Sequence, residues 1–307
     1  MTKPFDILGL GCTTIDELFY VPHYPPADGK VRVNQRRRQC GGLTATALVA
    51  AARMGAECVF AGTLGENELS RFVLSHMQDE GIDISQVYHK PHAQPIHSVI
   101  IVDESNQSRT ILYDTANSYG AQDNWPDKGT IQSARVLFVD PYGIDGMIRA
   151  ARVCRDSGIP IVADFESQEF PRFFELFDLV DHLIVSSSFA NSLTGKSNPG
   201  EMARQLWSAK RQAVIVTDGE RGCWCVTDRT VDRPSHCAAY GVETVDTTGC
   251  GDIFHGAYAA ALARGLGLDD RIRFAAAAAA IKATRHGGQA GIPTRGEVEQ
   301  FIEQRQI

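Results

Sequence analysis

The sequence contains no long apolar run. The longest, Phe274 to Ile281, is eight residues, whereas a helix that crosses a membrane needs about twenty. There is no excess of positive charge. Lys and Arg number 30 against 37 Asp and Glu, for a net charge of −7, which argues against nucleic acid or an anionic membrane as the main partner. The eight cysteines include no C-x-x-C pair, so neither a disulfide scaffold nor a zinc ribbon is expected in 307 residues. Cys223 and Cys225 share one face of an expected strand with Cys237 nearby, and buried thiols are the default reading. The chain enters a strand-like Phe5-Asp6-Ile7-Leu8 without a signal-peptide layout, which predicts a cytoplasmic protein. A third glycine is also lacking. Gly9-Leu10-Gly11 half-matches a dinucleotide fingerprint, but Thr14 stands where that glycine belongs and strand-like Ile15 to Tyr20 follows. A dinucleotide oxidoreductase is rejected on that context.

What is present is alternation. From Ala134 onward, strand-like runs (136–139, 159–163, 183–185, 213–217) alternate with helical ones (145–157, 188–194, 200–210). That order predicts a doubly wound α/β fold, with a mostly parallel sheet covered by helices on both faces. Ligands of such sheets bind at the carboxyl ends of strands, where Asp164, Ser186 and Thr217 fall. A single domain over 1–307 is expected, since α/β folds often use this length in one unit. Two β pieces interrupt the alternation, at about 12–39 and 96–116. The second reads as a hairpin of Ile96 to Val102 and Arg109 to Tyr113 around the turn 103–108. Together they predict a small inserted sheet over one end of the main one. Residues 30–39 carry Lys30, Arg32, Arg36, Arg37 and Arg38. They read as a basic strand, either an edge blunted by charge or a positive cover for an anionic substrate.

Residues 246–264 hold the densest chemistry. A loop with two glycines, Gly249 and Gly251, leads through Asp252 into an alanine-rich helix that closes at Gly265. Glycines free the turn, and the amides of a helix N-terminus favour an anion such as a phosphate. Asp252 beside them supplies a carboxylate. The competing reading makes Asp252 only a helix N-cap. It leaves Asp246, the two threonines and the spaced glycines without an explanation. Asp269 is expected to cap the following helix, Arg271 to Arg285, and a last helix is expected over 295–305.

Asp246-Thr247-Thr248-Gly249-Cys250-Gly251-Asp252 resembles the D-T-x-G-A-G-D signature of the ribokinase-like (PfkB) carbohydrate kinases. Gly41-Gly42-Leu43-Thr44-Ala45-Thr46-Ala47, continued through Gly55, resembles that family's N-terminal signature, with Thr46 where Asn is usual. Thr217-Asp218-Gly219-Glu220-Arg221-Gly222 resembles its nucleotide loop. The resemblance implies an ATP- and Mg²⁺-dependent transfer of a phosphoryl group to a sugar hydroxyl. In it, Asp252 is the base and Gly249, Cys250 and Gly251 supply the anion hole. A carboxylate of ordinary pKa is adequate for that role. It further implies sugar contacts at Asp16, Gly41, Gly42 and Thr46, and nucleotide contacts at Thr217, Gly219, Gly222, Gly287 and Gly288. A monovalent cation such as K⁺ is implied at Asp246 and Thr248, and a homodimer through the small sheet, acting as a lid. One departure stands out. The family's usual Asn-x-x-Glu is Ser186-Ser187-Ser188-Phe189 here, which leaves magnesium to ATP phosphates and waters. Thr247-Thr248, Phe254-His255-Gly256-Ala257 and Arg285-x-Gly-Gly-x-Ala-Gly-Ile-Pro are most similar to the sulfofructose-kinase-type subgroup, with Lys30 as a contact to an anionic tail. A neutral ketose, a sugar phosphate or a nucleoside stays open as substrate, as does a nucleotide- or sugar-binding protein without turnover.

Overall fold

The computed structural model describes residues 4–106 and 108–305. Gln107, in the expected hairpin turn, lies outside the described residues. An eight-stranded sheet runs in the spatial order Ser235–Cys237, Cys223–Val226, Ala213–Thr217, His182–Ser186, Ile161–Asp164, Ala134–Val139, Phe5–Leu10 and Cys58–Phe60. Its neighbours pair in parallel except where Cys223–Val226 joins Ala213–Thr217 and Ser235–Cys237. Its central strands are buried almost throughout, as both-face coverage demands.

The helices Leu43–Arg53, Cys250–Ala263 and Leu268–Ala283 pack on one face, while Ile144–Asp156, Ser187–Thr194 and Pro199–Leu206 pack on the other. Small residues set the first layer. A Cβ on Gly256 would stand 2.1 Å from the Ala47 carbonyl oxygen, so the Cys250–Ala263 and Leu43–Arg53 helices cross at backbone distance. A Cβ on Gly9 would strike the Leu48 side chain at 2.6 Å, and one on Gly11 would strike Thr44 and Asp140. The glycines of the half-fingerprint therefore serve helix-on-strand packing.

The small sheet has the order Gln35–Gly41, Thr14–Val21, Ile96–Asp103, Ser108–Asp114. Thr14–Val21 runs antiparallel to Gln35–Gly41 and parallel to Ile96–Asp103, and the hairpin closes with Asp103 opposite Ser108. The basic strand is shorter than expected. The ladder begins at Gln35, opposite Tyr20, so Lys30 and Arg32 sit in an exposed loop. Arg36 and Arg38 do lie on an edge strand, and buried Glu17 takes both, at 3.0 and 2.5 Å. Pro199–Leu206 stops short of residue 210 because Trp207 turns to extended backbone (φ −75°, ψ 145°). Leu268–Ala283 starts after Gly267, so Asp269 sits in the first turn, where it favours the helix dipole without capping.

Candidate active site

Gly249 adopts the left-handed conformation (φ 74°) and is the N-cap of Cys250–Ala263, with no side-chain cap. Asp252 falls inside the first turn, so the N-cap reading of this residue is excluded. Its carboxyl is free for chemistry and stands among other acids. Burial first, then the negative charges of Asp164 and Glu166, hold it well above the usual carboxylate range. An ordinary pKa would have been adequate, but this one is raised, because a helix-start carboxyl meets Asp164 and Glu166 in little water. Burial likewise raises Asp164 and Glu166.

His255 completes this cluster one turn further along the helix. Its Nδ1 lies 2.8 Å from the Gly251 carbonyl and its Nε2 3.0 Å from that of Ile184. Carbonyls only accept, so the ring serves both when it carries two protons. Asp164 Oδ2 lies 3.3 Å from Nδ1 but finds no hydrogen bond, because that N–H is aimed at Gly251.

The 246–248 turn is held by its own acid. Asp246 Oδ1 accepts from Thr248 N (2.8 Å) and Oδ2 from Gly287 N (2.9 Å). Burial raises the Asp246 carboxyl, but these amides and the nearby Lys282 charge outweigh it and leave it below its ordinary value. The Asp246 carbonyl accepts from Lys282 Nζ at 2.6 Å. Arg109, at the start of the outer hairpin strand, hydrogen-bonds Thr248 Oγ1 and lies 3.9 Å from Asp246 Oδ1. Arg109 and Lys282 were not legible as site residues. The first read only as a strand start, the second as a helix residue. Cys250 N already donates to Thr247 O at 3.2 Å, which leaves the Gly249 and Gly251 amides without a backbone acceptor among the described residues.

On one side of this turn lie most of the expected sugar residues. Asp16 sits in Thr14–Val21, opposite Gln39, with Thr14 Oγ1 3.2 Å from its Oδ1, and burial raises its carboxyl. A Cβ on Gly41 would lie 2.7 Å from Asp16 Oδ2, and one on Gly42 (φ 99°) would lie 2.8 Å from Thr13 Cα. The paired glycines are needed to seat Asp16 and its strand. Thr46 is buried, accepts from Gln289 Nε2 at 3.1 Å, and places its methyl 3.7 Å from the Cβ position of Gly249. Lys30 is not brought in, because it belongs to the exposed loop ahead of the ladder.

On the other side lies a cavity of about 380 Å³. Thr217, Gly219 and Gly222 line it, as expected, with Cys250 and Gly251 at the end nearest Asp252. Gly222 (φ 85°) leaves no room for a Cβ, which would meet the Cys237 carbonyl at 2.1 Å. Gly287 and Gly288 do not line the cavity. The hydrogen bond from Gly287 N to Asp246 draws their loop to the opposite side, against Gln39 and Thr248. Ala276, Ala279, Ala280 and Ala283 form that wall instead. Phe189 is buried and edge-on to Phe173 at 6.2 Å, and Ser186 Oγ caps its helix, so nothing in 186–189 offers a carboxylate.

Comparison with known proteins agrees with this geometry. Residues 7–295 match the family model described as pfkB family carbohydrate kinase. The chain is 27% identical to a ribokinase of Haemophilus influenzae over 301 residues, covering 96% of this chain and 97% of that protein. It is 26% identical to Fructokinase-1 of Zea mays, covering 86% and 88%. A solved structure from Agrobacterium tumefaciens superposes with a TM-score of 0.89 at 28% identity, covering 98% of each chain. The Arabidopsis thaliana ribokinase solved with ribose and ATP shares the fold, with a TM-score of 0.85 at 22% identity and 99% coverage of each.

Proposed function

The chain belongs to the pfkB family of carbohydrate kinases, and we propose that Asp252 is the base that activates the attacking hydroxyl of a small sugar toward the γ-phosphoryl group of ATP. The observation that carries this reading is the position of Asp252. It lies in the first helical turn, free of any capping duty, next to Gly251, which lines a nucleotide-sized cavity, and near enough to Asp16 for that acid's charge to act on it.

ATP enters the cavity with adenine against Ala276 and Ala280 and its phosphates directed to the Gly249 and Gly251 amides. Asp16 orients the sugar by accepting from its hydroxyls, with Gly41, Gly42 and Thr46 closing the site around it. Asp252 takes the hydroxyl proton, and its raised affinity for that proton makes it a better base than a solvated carboxylate. Arg109 and the two amides face the charge that spreads over the transferring group. Mg²⁺ fits the acidic cluster, since Asp164 keeps a buried oxygen without a hydrogen bond. Asp164 and Glu166 would hold it together with ATP phosphates and waters. When bound, the ion neutralises phosphate charge.

The small sheet serves as the lid of a single kinase domain. The exposed Ile111, Leu112 and Tyr113 on its outer strand support a homodimer through it. No described helix is long and apolar enough to cross a membrane. Cys12, Cys40, Cys58, Cys223 and Cys225, buried and without disulfides, suit the cytoplasm. The names of the relatives favour a pentose or ketohexose over a sulfosugar, and exposed Lys30 adds nothing to the anionic-tail reading.

The test is an ADP-release screen over sugars, sugar phosphates and nucleosides with ATP and Mg²⁺. One sugar should give turnover that Asp252→Asn lowers by about 10²–10⁴ while ATP affinity is kept. Full turnover by the variant sinks the assignment.

A further inference from the structure

The family resemblance implies a monovalent cation beside Asp246, but the residues present do not fit one. The ammonium of Lys282 is already there. Lys282 is fully buried, its Nζ 2.6 Å from the Asp246 carbonyl oxygen and 3.7 Å from Asp246 Oδ1. Its Cε packs under Gly291, where a Cβ would stand 3.2 Å away. The carboxylate is otherwise satisfied by the Thr248 and Gly287 amides, and Arg109 brings a second positive charge to 3.9 Å. A buried lysine is costly unless paired, and here Asp246 supplies both a carbonyl and a negative charge. A further cation would meet two like charges at short range in a poorly screened setting.

We propose that Lys282 is a built-in cation, a positioning residue that holds the Asp246 turn and makes this kinase independent of potassium. It acts through Asp246. The ammonium fixes the carbonyl, the carboxylate fixes Thr248 and the 287 loop, and the turn then presents the Gly249 and Gly251 amides beside Asp252. Cutting the side chain back leaves a site lined by a carbonyl and a carboxylate, with room for a small cation. The proposal deepens the kinase reading and rests on it for the turnover readout, whereas melting temperature is read without any substrate.

The experiment compares the purified full chain in potassium chloride and in tetramethylammonium chloride at equal ionic strength. Wild-type melting temperature should be the same in both, and its ADP release should agree within about twofold, since a protein without a site gains nothing from the ion. Lys282→Ala should lose about tenfold or more of turnover in tetramethylammonium and recover it as potassium is added, with a saturable rise in melting temperature. A wild type that is stabilised and activated by potassium overturns the proposal. So does a Lys282→Ala protein whose melting temperature and turnover ignore potassium. Should Lys282→Ala fail to fold, the wild-type comparison still decides, and Lys282→Gln replaces it in the rescue arm. Absence of ADP release with every sugar would count against the kinase reading alone, because the melting arm reads the cation site independently.

Discussion

His255 Nδ1 lies 3.3 Å from Asp164 Oδ2, and both side chains are buried directly behind Asp252. After burial, Asp164 contributes most to how tightly Asp252 holds its proton. Asp164 raises the Asp252 carboxyl by charge and by hydrogen bonding, after the larger effect of burial, while Glu166 and Asp16 add smaller contributions. The base role proposed for Asp252 needs it ionised, so activity should rise with pH through its apparent pKa. In Asp164→Asn that negative charge is gone. The acidic limb of kcat/KM against pH should then move to lower pH. The position of the limb is the readout, because its height also responds to any loss of metal. A limb that stays put or moves up contradicts the coupling.

Arg109 reaches the 246–248 turn from the small sheet, and in the proposed mechanism it faces the phosphate charge. Arg109→Ala should lower kcat by about 10²-fold, in the range typical of losing one transition-state donor. Melting temperature should hardly change, since the side chain is substantially exposed. Arg109→Lys should recover only part, lacking the fork geometry. Steady-state kinetics beside a thermal melt separates these outcomes.

The alanine wall of Leu268–Ala283 makes a separable prediction. Ala276→Phe fills the cavity without touching Asp16 or Gly41. The KM for ATP should rise by about tenfold or more, with the sugar KM nearly unchanged, since a filled pocket excludes its ligand. An equal rise in both constants would place the nucleotide elsewhere.

Gly256 tests the helix crossing behind the 246–252 turn. Gly256→Ala puts a methyl 2.1 Å from a backbone carbonyl oxygen, where no rotamer can relieve it. We expect a loss of about 1–3 kcal/mol, as for other overpacked cores, measured as a lower urea midpoint at unchanged slope.

Much of this was readable in the chain because the signals are local. Strand and helix alternation after Ala134 requires only hydrophobic period and turn residues, and the structure follows it to within a few residues. The limits fail where a single residue's backbone decides, as at Trp207, or where a ladder needs a partner, as for Lys30 and Arg32 ahead of Gln35. Asp252 was legible from its glycine-spaced loop, but its freedom from capping was not. That depends on Gly249 turning left-handed one step earlier. That Gly287 and Gly288 lie outside the cavity was not legible, because one hydrogen bond to Asp246, 41 residues away in sequence, sets the course of their loop.

The sequence by itself determined the fold class, the inserted sheet, the 246–252 turn and the glycines around it, since each is encoded in a short contiguous pattern. Only the tertiary structure decided the electrostatics of that turn. Asp164, Glu166 and His255 crowd Asp252 because the end of the Ile161–Asp164 strand meets the start of the Cys250–Ala263 helix there. Arg109 and Lys282 reach Asp246 from the small sheet and from the far end of a neighbouring helix. Charges that meet across such separations leave no pattern along the chain, because the distances that set their strength exist only once the chain has folded.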